Sequence, residues 1–241
     1  MTKALIKKLL PPLYWDVRKQ AANFSNLAKR YGQFQTIRKG SCLSGEGVPI
    51  PWYTYPAIEY LSHIDFSNRR VLEYGSGNST LWWATRCEEL VSVEGNSEWY
   101  ETNRGVVEQA AKVKYLLKTS EKEYVRQDYL RTAGVVVIDG DYRSKCADYL
   151  IESNQDNAHQ ISMAVFDNAD WYPKTIRKLK HSLHWIQVDF HGFGPINDYS
   201  WTTSIFINPT GPEMKYLRPL MSVCGLADVP ASNADDGSQT Q

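Results

Sequence analysis

The sequence predicts an α/β fold built on a doubly wound, mostly parallel sheet, and three observations carry that prediction. Five short apolar runs recur between residues 70 and 166: Arg70 to Tyr74 (RVLEY), Leu90 to Val93 (LVSV), Val113 to Leu117 (VKYLL), Val135 to Ile138 (VVVI) and Met163 to Phe166 (MAVF). Segments of helical length at 79–87, 97–111, 120–130 and 142–154 separate them, and strands alternating with such helices make βαβ units whose sheet is covered on both faces. After a further helix at about 174–183, the runs HWIQVDF and WTTSIFI follow one another with no helix between them. Sequential strands of that kind pair as a hairpin, so the sheet is expected to end with an antiparallel strand.

Ahead of the sheet, the segment MTKALIKKLLPP combines Lys3, Lys7 and Lys8 with Ala4, Leu5, Leu9 and Leu10 before Pro11 and Pro12. It has no long apolar core or small-residue cleavage site, and a packed terminal helix is favoured over membrane attachment. Residues 13 to 31 carry apolar side chains at mostly helical spacing and stop at Gly32. The stretch GSCLSGEGVPIPWYTYP that follows is a long loop rich in Gly, Pro and rings, the kind that tends to be functional. We therefore expect a helical extension and aromatic loop over 1–55, one α/β domain over 56–228, and a disordered tail over 229–241, where ASNADDGSQTQ lacks apolar periodicity.

Composition narrows the function. The 241 residues contain 27 Lys plus Arg and 27 Asp plus Glu, so a broadly basic face for nucleic acid is not expected. Hydrophobic residues at 42% and charged residues at 22% are those of a globular chain, and no apolar run reaches the ~20 residues of a membrane span. Cys42, Cys87, Cys146 and Cys224 are far apart with no CxxC pair, which fits reduced thiols and a cytoplasmic location. The oligomeric state is left open. The unusual feature is the ring content: 8 Trp, 15 Tyr and 7 Phe.

In a doubly wound sheet, ligands bind beyond the carboxyl ends of the strands. The first run leads into Glu73-Tyr74-Gly75-Ser76-Gly77-Asn78-Ser79-Thr80. Its two glycines permit a tight turn and close ligand approach, and Asn78 or Ser79 can cap the next helix. A dinucleotide fingerprint wants a third glycine where Thr80 stands, which disfavours NAD. The second run ends in Glu94-Gly95-Asn96, with a carboxylate placed to hold both hydroxyls of a ribose. An ordinary tight turn is the bland alternative.

VLEYGSGNST followed by VSVEGN resembles motif I and the ribose-binding acid of class I S-adenosylmethionine-dependent methyltransferases. The likeness runs over roughly residues 56 to 208 and implies a Rossmann-like seven-stranded sheet with its last strand antiparallel. It also implies that Glu73, Gly75, Ser76 and Gly77 form the cofactor turn and that Glu94 holds the ribose. Asn96 and the segment around Ser120 would lie near the adenine, and Asp139 would also face the cofactor.

Asp139-Gly140-Asp141 follows the fourth run, and Asp167-Asn168-Ala169-Asp170-Trp171 the fifth. An all-oxygen cluster of this kind suits a hard cation such as Mg²⁺, although helix capping is the plain alternative. The pairing is similar to that of metal-dependent small-molecule O-methyltransferases. That likeness implies Asp139, Asp167 and Asn168 as ligands and Asp141 as catalytic base. His191, in VDFHGFGP, is the second candidate base, and Arg143 a weaker candidate that would pair with one of the acids. Trp52, Tyr53, Tyr55, Trp171, Tyr172, Phe190, Phe193, Tyr199 and Trp201 are expected to wall an acceptor pocket, with Trp82, Trp83 and Phe166 in the core.

The expected activity is therefore methyl transfer from S-adenosylmethionine to a hydroxyl of a small molecule or glycan with divalent-metal assistance. A metal-independent N- or O-methyltransferase and a non-catalytic cofactor-binding scaffold are the alternatives.

Overall fold

The computed structural model describes residues 12–157, 160–217 and 222–225. The expectations for Lys3 to Leu10 and for the tail over 229–241 lie outside the described residues. The chain opens with α1 (Pro12–Ser25), which runs on through a π-helical turn at Asn26–Arg30. Gly32, at φ +83°, then starts a short α2 (Gln33–Lys39). A side chain at Gly32 would press into the Ser44 backbone, so the glycine is what lets this corner fold back on the aromatic loop.

Helix α3 (Tyr55–Ser62) follows the loop, with Pro56 in its first turn, where no amide hydrogen bond is lost. A two-residue β1 (Ile64–Asp65) comes next. Then the predicted alternation begins: β2 (Arg70–Tyr74), α4 (Asn78–Ala84), β3 (Glu89–Glu94), α5 (Ser97–Val107), β4 (Val113–Leu117), α6 (Glu121–Val125), β5 (Val135–Ile138), α7 (Arg143–Asn157), β6 (Met163–Phe166) and α8 (Pro173–Leu183). β7 (Ile186–Gly192) and β8 (Trp201–Ile207) form the hairpin, and a short β9 (Lys215–Tyr216) pairs with β1.

The seven-stranded sheet has the order β4-β3-β2-β5-β6-β8-β7. The pairs β2–β3, β3–β4, β2–β5 and β5–β6 are parallel, whereas β8 runs antiparallel to both β6 and β7. The last of the seven strands is antiparallel, as expected, and it sits one place in from the edge, with β7 outside it. Strand order reverses between β2 and β5, and that is where a doubly wound sheet opens a crevice.

Both faces of the sheet are covered because successive strand residues point to opposite sides. Leu72, Val136, Ala164 and Phe206 face one cluster, closed by Cys146, Leu150, Leu179 and Leu183 from α7 and α8. Val71, Val135, Val137, Val165 and Ile205 face the other, closed by Ile58 and Leu61 from α3, by Trp82 and Trp83 from α4, and by Tyr53. Each fully buried side chain of this size contributes about 1.5–3 kcal/mol relative to exposure. These two layers hold the strand ends in place.

The candidate cofactor and acceptor cavity

At the carboxyl end of β2 the chain turns sharply through Gly75, at φ +100°, into α4. A Cβ on Gly75 would lie 2.8 Å from the Gly140 Cα, and one on Gly140 would meet the Gly75 backbone and the Tyr124 hydroxyl. The turns after β2 and β5 therefore pack backbone to backbone. The missing third glycine has a clear local consequence. Thr80 Oγ1 accepts from the Gly77 amide at 3.1 Å and donates to Glu73 Oε2 at 2.7 Å, so a hydroxyl ties the turn to the strand that precedes it.

Glu73 is 1% exposed. Thr80 and Ser92 donate to its Oε2, its Oε1 has no partner, and burial raises its pKa to about 7. At the tip of β3, Glu94 is also buried. Its Oε2 accepts from the Ser76 hydroxyl at 2.6 Å and its Oε1 from the amides of Gly95 and Asn96, both at 2.9 Å. The Gly75-Ser76-Gly77 turn and the strand-tip acid are thus joined directly.

Above this turn lies a cavity of about 700 Å³ lined by Ser76, Gly77, Asn78, Trp99, Asp139, Arg143, Asp167, Asn168 and rings from three other segments. Trp99 Nε1 donates to the Ser76 carbonyl at 2.8 Å and stands at one wall. The roof comes from the N-terminal extension: Asn78 Nδ2 donates to Ser41 Oγ at 2.9 Å and to the Cys42 carbonyl at 2.6 Å. Of the predicted ring wall, Trp52, Trp171 and Tyr199 line the cavity and are exposed. Tyr53, Tyr55 and Trp201 are buried in the body of the protein, Tyr172 packs on the core, and Phe190 lies on Tyr60.

The carboxylates at the strand tips are held in an unexpected way. Asp167 is 2% exposed; its Oδ1 accepts from Thr203 Oγ1 at 2.5 Å and from Trp201 Nε1 at 3.1 Å, and its Oδ2 accepts from the same indole at 3.2 Å. Asp139 Oδ1 pairs with Arg143 Nη2 at 3.2 Å, and Asn168 Oδ1 accepts from Arg143 Nη1 at 2.6 Å. Asn168 sits in the left-handed region at φ +55°, which asparagine tolerates, and this turns its side chain to the arginine. Burial raises Asp139 to about 6 despite Arg143, and burial with the nearby Asp139 lifts Asp167 well above the usual carboxylate range.

These donors do not fit a divalent ion. One oxygen of Asp139 and the Asn168 amide oxygen face a guanidinium and the oxygens of Asp167 face β8, and no cluster of three His, Cys, Asp or Glu poised for a metal occurs among the described residues.

Both predicted bases lie elsewhere. Asp141 is exposed, with its carboxylate against Gly95 and its amide donating to the Tyr124 hydroxyl, and it does not line the cavity. The reason is local: Asp139 faces inward, Gly140 is pressed on Gly75, and the next residue has already turned away. His191 is exposed on edge strand β7, its Nδ1 2.7 Å from Thr202 Oγ1, and lines a separate groove with Asp170, Arg177 and Lys180. Insertion of β8 between β6 and β7 moves it one strand further out. Asn96 and Ser120 cap α5 and α6 through Trp99 N and Glu123 N.

Sequence reasoning placed Asn78 only as a cap and missed Ser41, Cys42, Trp99 and Asn197 in the lining. Trp99 had one available signal, its place in the first turn of α5 three residues past Asn96.

No protein-family model and no curated protein matches the sequence. Among solved structures, the chain is similar to a methyltransferase from Pyrococcus furiosus at a TM-score of 0.45 and 15% identity, over 65% of this chain and 82% of that one. It is similar at 0.42 and 12% to the N-methyltransferase NodS from Bradyrhizobium japonicum in complex with S-adenosyl-L-homocysteine, over 63% of this chain and 82% of that one. A methyltransferase-like protein from Silicibacter pomeroyi is similar at 0.38 and 16%, over 66% of this chain and 87% of that one.

Proposed function

We propose that the protein is an S-adenosylmethionine-dependent methyltransferase acting on a hydroxyl of a small molecule or sugar. The observation that carries this reading is the hydrogen bond between the Ser76 and Glu94 side chains beneath the cavity, which couples the glycine turn to the acid at the next strand tip. The residues fit the cofactor. A Cβ on Gly77 would meet only the edge of the Trp99 ring at 3.7 Å, so the turn leaves open space on that side. Glu94 does not itself line the cavity, and its oxygens are taken by two backbone amides and the Ser76 hydroxyl; in this reading it becomes the ribose acceptor when Ser76 yields to the bound cofactor.

The bound cofactor supplies a methyl group already activated by its sulfonium, so the protein's task is alignment. Asp139 at the cavity floor keeps one carboxylate oxygen outside its ion pair with Arg143, and that oxygen can accept a hydrogen bond from the bound cofactor. Trp52, Trp171 and Tyr199 offer flat apolar faces, and Asn168 and Asn197 amide groups, a combination that suits a ring carrying hydroxyls. Arg143 in the lining is already engaged within the chain by four hydrogen bonds and an ion pair to Asp139, which disfavours an anionic acceptor.

Calorimetry of the full chain with S-adenosylhomocysteine tests the reading. Binding is expected, with Glu94→Ala weakening it roughly tenfold or more, about 1.4 kcal/mol. No binding at ~1 mM ligand, about −4 kcal/mol, refutes it. Binding with no transfer to any of a panel of hydroxylated metabolites and glycans would leave the scaffold alternative.

A further inference from the structure

The acid cluster at the cavity floor already contains a cation. A guanidinium has five N–H donors in a rigid fork, and Arg143 makes four hydrogen bonds and one ion pair inside the chain. Nε donates to the Gly140 carbonyl at 3.0 Å, and Nη1 to the Asp167 carbonyl at 2.7 Å and to Asn168 Oδ1 at 2.6 Å. Nη2 donates to the Asp139 carbonyl at 3.0 Å and lies 3.2 Å from Asp139 Oδ1. The Tyr172 ring closes a further side, 5.8 Å from the guanidinium carbon. Three of the four hydrogen-bond acceptors are backbone carbonyls at the ends of β5 and β6, so the position of the charge is dictated by the sheet itself.

We infer that the Arg143 guanidinium is the built-in cation of this site, standing among Asp139, Asp167 and Asn168 where a divalent ion would otherwise bind, so that the cavity works without a metal. Arg143 is a positioning residue in this scheme. It draws one oxygen of Asp139 into the ion pair, leaving the other outside it, and holds the Asn168 amide oxygen away from the cavity centre. Asp167, turned to Trp201 and Thr203, buttresses the floor from behind. What the cavity does with this floor rests on the methyltransferase reading; the place of the cation does not.

Manganese titration of the full chain, read by the paramagnetic resonance signal of the free ion, tests the inference. Wild-type protein should leave that signal undiminished up to ~1 mM ion, and so should Arg143→Lys, which keeps the charge. Arg143→Met uncovers the Asp139 and Asn168 oxygens and should bind Mn²⁺ roughly tenfold or more tighter than wild type. A merely structural arginine would not produce that gain, and a folded Arg143→Met that binds no better than wild type overturns the inference. So does one Mn²⁺ bound per wild-type chain and lost in Asp139→Asn. If Arg143→Met does not fold, wild type against Asp139→Asn remains the deciding pair. Calorimetry with S-adenosylhomocysteine on the same samples separates the two readings: a chain that binds neither ligand loses the methyltransferase assignment and keeps the cation assignment.

Discussion

Glu73 has much to lose from ionising. Its carboxyl is buried, two hydroxyls serve one oxygen and the other has none. With a folded pKa of about 7 against an ordinary 4.5, the folded state binds more protons than the unfolded state between those values. Stability contributed by this group is therefore full below about pH 4.5 and is lost as pH rises to about 7, by roughly 3 kcal/mol. Urea denaturation of wild type and Glu73→Gln at pH 5 and pH 8 should show the variant gaining on wild type at the higher pH. Equal differences at both values would remove Glu73 as the cause. The turn residues Glu73, Gly75, Ser76 and Gly77 were legible in the sequence because glycine and acid spacing along one strand–turn–helix is a local property. Of the partners of Arg143, the acid was anticipated and is Asp139, but the others were not, since most are main-chain carbonyls, which every residue has.

At the scale of elements, the contact between the turns after β2 and β5 is the tightest constraint on the site. Gly140→Ala should destabilise the protein by about 2 kcal/mol or more, because its methyl group must displace the Gly75 backbone or the buried Tyr124 hydroxyl. The midpoint of urea unfolding checks this, and an unchanged midpoint would show that the turns can separate. All seven sheet strands lie where the apolar runs place them, since buried parallel strands read as continuous Val, Ile and Leu segments. The helices were less exact. The segment at 120–130 divides into α6 and a 3-10 turn at Asp128–Arg131, and β1 with β9 left no pattern because two residues are too few to carry one.

Across the whole molecule, the cavity joins segments far apart in sequence. Ser41 and Cys42 reach Asn78, while Trp52, Trp171 and Tyr199 stand at the mouth. Asn78→Ala removes both ties to the roof. It should cost about 1–2 kcal/mol in urea unfolding and weaken S-adenosylhomocysteine binding in calorimetry. Unchanged affinity would mean the extension is no part of the binding site. The exposed rings of the mouth were anticipated as a wall, but three of the nine proposed rings ended in buried positions: Tyr53 and Tyr55 join the cluster on one face of the sheet, and Trp201 donates its indole N–H to Asp167.

The sequence by itself determined the α/β class, the strand positions, the glycine turn and the acid at the neighbouring strand tip, all of which depend on periodicity and spacing within about 25 residues. Tertiary structure alone decided that β8 slides between β6 and β7, carrying His191 out of the cavity, and that a guanidinium rather than a metal ion answers the acids. Such outcomes follow from which strand ends meet in space and which carbonyls they present, and no single stretch of chain encodes that.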